Sequence, residues 1–108
     1  MVSETELVRT VSGLGRDELR MWVDAGWVRP RYKSGRAVFS DVDVARVRLI
    51  VDMRDDLGLA RDSIPVVLSL IDQLHGVRRE LRRLAAAVES EPDEVRARIC
   101  RAMAERRR

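Results

Sequence analysis

GRDELRMWVDAGWVRP, residues 15 to 30, places Leu19, Trp22 and Val23 three and four positions apart, the period of one helical face, and then meets a glycine at Gly26. A glycine after the last periodic residue predicts a left-handed cap at the end of the helix. Trp27 and Val28 then enter an extended stretch, and Pro30 forbids helix there. Upstream, Leu7, Val8 and Val11 have helical spacing between Glu4 and Ser12, with Ser3 or Thr5 available to cap the start. Gly13, Leu14 and Gly15 separate the two periodic segments, so the first thirty residues read as a helix-turn-helix.

Downstream, RYKSGRAVF predicts a hairpin that turns at Ser34-Gly35 and returns through Val38 and Phe39, forming a small wing. Ser40 is the expected N-cap of a third helix, with Asp41 and Asp43 in the first turn, where the helix dipole favours acids. Its apolar face is expected to comprise Val44, Val47, Leu49, Ile50, Val51, Met53 and Leu57, and Gly58 ends it. A long helix follows from about Asp62 to Ser90. With Asp62 as its N-cap, Pro65 falls in the first turn, where a missing N–H costs little.

Within that helix Val67, Leu70, Leu74, Val77, Leu81, Leu84 and Val88 alternate by three and four, a heptad seam. Gly76 interrupts it at a cost of ~1 kcal/mol relative to alanine and permits a local bend. The part from Val67 to Leu74 fits packing on its own domain as readily as on a partner. Beyond Val77 the chain has too little other apolar surface to cover the seam, so Leu70, Leu74, Val77, Leu81, Leu84 and Val88 are expected to form a homodimer contact. Glu91-Pro92 breaks the helix, and Val95, Ile99 and Met103 recur every four residues in a final segment that either packs back or frays. The expected organisation is a winged helix-turn-helix over 1–61, a dimerising heptad helix over 62–90, and a short basic helix or tail over 91–108.

At 108 residues and 12.4 kDa the chain is long enough for one modest core. Its four aromatics, Trp22, Trp27, Tyr32 and Phe39, lie in the first forty residues, so that unit should be the compact one. By spacing, Trp22 belongs to its core, and Trp27 is expected to pack under the wing. The net charge is +3, yet residues 1–62 carry eleven basic and eleven acidic groups, so the excess resides in the C-terminal part, largely in Arg106 to Arg108. No apolar run approaches the ~20 residues of a membrane span, and a cytoplasmic protein without membrane association is expected. The single Cys100 forms no internal disulfide, and with the single His75 it makes neither a metal site nor a nucleophilic constellation. Neither cofactor, metal nor enzymatic activity is expected.

The order of helix-turn-helix, wing, helix pair and heptad helix resembles the MerR superfamily. LRMWVDAGWVRP followed by FSDVDVARVRLIVDMRDDLGL is similar to that superfamily's recognition helix, wing and helix pair ending in Leu-Gly-Leu. Within it, residues 6 to 88 more closely resemble the chaperone modulators called CbpM. In DLGLARDSIPVVLSLIDQL the shared positions include Ile64, Val66, Leu68, Leu70 and Asp72. Two functions follow from the two likenesses. MerR regulators bind promoters as dimers and sense an effector. CbpM proteins bind the J-domain of a DnaJ-like co-chaperone, CbpA, and block its work with Hsp70.

Where a DNA-reading MerR helix begins with Ser or Thr and Arg, this chain has Gly15, Asp17 and Glu18; where the wing would grip phosphate through Arg and Tyr, it has Ala37 and Phe39. Phosphate neutralisation supplies nearly all non-specific DNA affinity, so carboxylates at these positions disfavour DNA. In favour of DNA stand Arg16 and Arg20 and the wing cations Arg29, Arg31, Lys33 and Arg36 with Tyr32 among them; a solubilised hairpin tip explains the latter equally simply. The CbpM likeness implies competition for the basic helix that a J-domain presents to Hsp70, which calls for acidic clusters. Three are available: Asp17, Glu18 and Asp24; Asp41 and Asp43; and Asp52, Asp55 and Asp56. Each is also consistent with ordinary solvated surface, and acids at 17 and 18 suit the helix dipole.

Overall fold

The computed structural model describes residues 1–107 and contains five helices and three short strands. Val2–Ser3 forms β1, and Ser3 accepts a hydrogen bond from the Glu6 amide to cap α1, Glu4–Thr10. Helix α1 ends two residues earlier than expected, where Val11 takes up an extended conformation while its N–H still bonds back to the Leu7 carbonyl.

Helix α2 spans Arg16–Asp24. Its C-terminus closes as the sequence predicts: Gly26 has φ 79°, its N–H donates to the Val23 carbonyl, and the Trp27 N–H donates to the Trp22 carbonyl. This 6→1, 5→2 pair is a Schellman motif, which needs a residue free to adopt positive φ at Gly26. The apolar contact that accompanies such motifs is here aromatic, with the Trp22 and Trp27 rings stacked at 6.4 Å. The motif turns the chain directly from α2 into the wing.

Strands β2, Arg31–Lys33, and β3, Arg36–Phe39, pair antiparallel with Lys33 opposite Arg36. The two-residue turn between them has Ser34 and Gly35 both at positive φ, the type I′ geometry that matches strand twist. The sheet has a third strand that sequence reading missed: β1 joins the other edge of β3, pairing Val2 with Phe39 and Ser3 with Val38. Two residues carry no alternation signal, so β1 was illegible before its partner was known.

Helix α3 runs Asp41–Asp55. Ser40 and Asp43 form a capping box, each side chain accepting from the other's backbone amide. Val47, Ile50, Val51 and Met53 are buried, whereas Val44 and Leu49 are half-buried. Leu57, expected on this face, is instead exposed: α3 ends at Asp55, and the Leu57 N–H folds back onto the Asp52 carbonyl in the terminal turn, off the helical stripe.

Helix α4 is continuous over Ser63–Glu89, passing Gly76 without a break, and α5 occupies Asp93–Arg106. By compactness the chain forms two units divided after Ser69. The first contains the whole core: Leu7, Val11, Leu14, Leu19, Trp22, Val28, Phe39, the α3 residues above, and Ile64 and Leu68 from the start of α4. In the second unit no described residue is buried. No described helix is long and apolar enough to cross a membrane.

Candidate partner-binding site

Helix α2 owes its orientation to Leu19 and Trp22, both buried, which leaves Asp17, Arg20, Met21 and Asp24 on the outward side at positions i, i+3, i+4 and i+7. Met21 is 43% exposed between the two aspartates. Sequence reading missed it as a contact residue, because an isolated Met in a helix is indistinguishable from core until the buried stripe is located.

The two α2 arginines do not project freely. Arg20 Nε donates to Glu4 Oε1 at 3.0 Å, and Arg16 Nε lies 3.5 Å from the same oxygen while its Nη2 donates to Thr5 Oγ1 at 3.1 Å. Both are thus held on the N-terminal turn of α1. Exposed pairs of this kind stabilise by only ~0–1 kcal/mol each, but they place a carboxylate beside every α2 cation.

Glu18 is the third acid-base link. It pairs with Arg54 of α3, whose guanidinium also binds Asp55 (Nε to Oδ1, 2.7 Å), donates to the Gly13 carbonyl at 2.7 Å and sits 5.8 Å from the Trp22 ring centroid. Arg54 therefore ties the helix-turn-helix turn, the start of α2 and the end of α3 together. Gly13 has φ 83°, where a side chain is strained, and a Cβ there would also crowd the Asp55 carboxylate at 3.2 Å. Neither Glu4 nor Arg54 was identified from sequence, since pairings across 12 to 36 residues leave no local pattern.

The hydrogen bonds from Arg54 hold the Asp55 carboxyl below its ordinary range, and those same bonds to Asp55 and then Glu18 raise Arg54. A depressed carboxyl adds stability above its unfolded-state value and loses it as pH falls through the lower folded-state value, so the Arg54–Asp55 link persists below the pH at which an ordinary aspartate protonates. By 13C NMR, Asp55 should titrate below the ordinary aspartate value and return toward it in Arg54→Met. Equal midpoints in the two proteins would contradict the bridge.

Around α2 and its ion-pair partners, three guanidinium groups (Arg16, Arg20, Arg54) face five carboxylates (Glu4, Asp17, Glu18, Asp24, Asp55), a net charge of −2. The wing has the opposite sign. Arg29, Arg31, Lys33 and Arg36 are all exposed, Tyr32 is 64% exposed, and these cations form no ion pair among the described residues. Between the two lies a groove of about 610 Å³, with Arg16, Arg20 and Asp24 on one wall and Tyr32 and Arg36 on the other.

Of the remaining acids, Asp43 is committed to the α3 capping box and Asp55 to Arg54, while Asp41, Asp52 and Asp56 are exposed. The six seam positions lie on α4 in the second unit: Leu70, Leu74, Val77, Leu81 and Leu84 are each 49 to 65% exposed, and Val88 is half-buried. Val67, just before them, packs on the first unit's core. Among the described residues no group of three His, Cys, Asp or Glu is placed to hold a metal ion.

A short helix-turn-helix, a hairpin wing, a capped α3 and a long α4 define a winged helix-turn-helix protein. The model of the MerR HTH family regulatory proteins matches residues 5–86, most of the chain, and the protein belongs to that family. No curated protein and no solved structure matches it. The family match ends within α4, before α5 begins.

Proposed function

We propose that this protein is a chaperone modulator of the CbpM type: a homodimer that occupies the J-domain of a DnaJ-like co-chaperone through the acid-bearing face of α2 and so inhibits co-chaperone action. The observation that carries the reading is the sign of the charge around α2. Duplex DNA presents a negative charge every ~1.7 Å, and a tight binder neutralises ~6 to 10 phosphates. An α2 laid against that surface would bring Asp17 and Asp24 toward it, and freeing both Arg16 and Arg20 for phosphate would leave Glu4 uncompensated. The same arrangement complements a basic helix, with Met21 as an adaptable apolar contact between two acids.

Since Glu18 serves the internal Arg54 bridge, the pair to test is Asp17→Ser with Asp24→Ser. Together they should weaken binding of a CbpA-type J-domain about 5- to 30-fold, each rim charge contributing ~0.5–1 kcal/mol. Replacing Arg31, Lys33 and Arg36 by serine should leave that affinity unchanged or raise it. If both sets act alike, the α2 face is not the contact.

One observation favours a second reading, a MerR-type DNA-binding transcriptional regulator: the wing cations form no ion pair among the described residues. On that reading the wing substitutions abolish a complex with upstream DNA, and the complex weakens steeply with salt. J-domain binding would then be absent.

A further inference from the structure

The only two cations on α2 converge on one atom. Arg16 Nε and Arg20 Nε lie 3.5 and 3.0 Å from Glu4 Oε1, and Arg16 Nη2 donates to the neighbouring Thr5 hydroxyl at 3.1 Å. The Glu4 side chain is 25% exposed, and both arginine side chains are far more open, so the carboxylate sits at the base and the guanidinium groups lie outside it. Two guanidinium groups aimed at one oxygen, with a hydroxyl beside it, form the kind of donor set that receives a phosphate. Here the chain fills the oxyanion position itself.

Helix capping does not account for this use of Glu4. An acid in the first turn of α1 suits the helix dipole, but Glu6 lies in the same turn and forms no ion pair among the described residues. What sets Glu4 apart is the pair of arginines it holds. The site remains open to a ligand, because Glu4, Thr5, Arg16 and Arg20 all line the groove whose far wall carries Arg36. One carboxylate against two guanidinium groups also leaves a positive charge in excess. A phosphate drawn to that excess would have to displace Glu4 and then lie beside the carboxylate it had unpaired.

We propose that the Glu4 carboxylate is an internal stand-in for phosphate and a specificity determinant of the α2 face: by occupying the oxyanion position between Arg16 and Arg20 it excludes the nucleic-acid backbone. The inference shares with the proposed function only the premise that α2 does not serve DNA, and it assigns that exclusion to a residue on a different helix. Fluorescence anisotropy of a short labelled duplex of random sequence, titrated with the full chain over a salt series, tests it. Glu4→Gln should bind the duplex at least ~5-fold more tightly than the native chain at low salt. Its log K should also fall more steeply with log salt, by ~0.9 for each phosphate gained. Glu6→Gln makes the same change in net charge on the same turn and should stay within ~2-fold of native. Adding Arg20→Gln to Glu4→Gln should abolish the gain, and all three variants should keep the native thermal transition by circular dichroism. Equal duplex affinity for the native chain and Glu4→Gln, or an equal gain from Glu6→Gln, overturns the inference and leaves the proposed function standing. A native chain that forms a sequence-specific complex with its upstream DNA overturns both. Absence of J-domain binding alongside a gain confined to Glu4→Gln overturns the proposed function and leaves the role of Glu4 intact.

Discussion

Phe39→Ala is expected to destabilise the first unit by about 3–5 kcal/mol, the largest effect of any single substitution proposed for this chain. Phe39 is 1% exposed and among the largest fully buried side chains. It pairs with Val2 across the sheet, ends the return strand of the wing and borders the groove between α2 and that wing. Truncation removes ring contacts and leaves a cavity where β1 and the wing meet the core, and both cost free energy. Stabilities of small domains are ~5–15 kcal/mol, so the variant should retain a shallow thermal transition or none, read by circular dichroism. Because one aromatic seats the wing, loss of the Phe39 ring should also abolish whichever ligand the wing or groove contacts. A loss below 1 kcal/mol would mean that Phe39 does not pack as described.

The second large effect is on assembly. Leu74→Asp with Leu81→Asp should weaken the proposed homodimer at least ~100-fold, since pairing the seams would bury four uncompensated carboxylates. Leu74 and Leu81 are 49% and 63% exposed, and neither belongs to the first unit's core, so the monomer should keep its fold and its thermal transition. Burying a Leu or Val fully is worth ~1.5–3 kcal/mol, and the exposed seam residues of two copies together reach the scale of the ~4–15 kcal/mol that association costs. With a balance this close, the proposed homodimer would depend on every seam layer. Sedimentation equilibrium of the variant reads the result directly; an unchanged dimer would place the interface elsewhere.

The elements that sequence analysis located are those with local causes. Gly26 ending the Leu19, Trp22, Val23 stripe specified the α2 terminus, Ser34-Gly35 the hairpin, Ser40 with Asp43 the start of α3, and the three-four alternation from Val67 the run of α4. What remained hidden depends on distance along the chain. Strand β1 exists because β3 offers it an edge, Arg16 and Arg20 are restrained because Glu4 lies across the turn, and Glu18 is tied to Arg54 from α3. Leu57 shows the converse, a residue in register with a helical stripe but placed beyond the point where the helix unwinds. For the candidate site, the acids at 17, 18 and 24 were visible as a charge pattern. Their unequal availability was not, because Glu18 is satisfied internally whereas Asp17 and Asp24 flank Met21 on the open side.

The sign of charge around α2 makes opposite statements about a basic protein helix and about DNA, so titrating one protein preparation with both ligands is the most direct test. Isothermal calorimetry of the native chain with a CbpA-type J-domain at low salt should give a saturable complex at micromolar concentrations that weakens moderately as salt rises, while a fragment of upstream DNA gives no sequence-specific complex. No J-domain binding at tens of micromolar, together with a specific DNA complex of steep salt dependence, would contradict the proposed function and assign this winged helix-turn-helix to DNA.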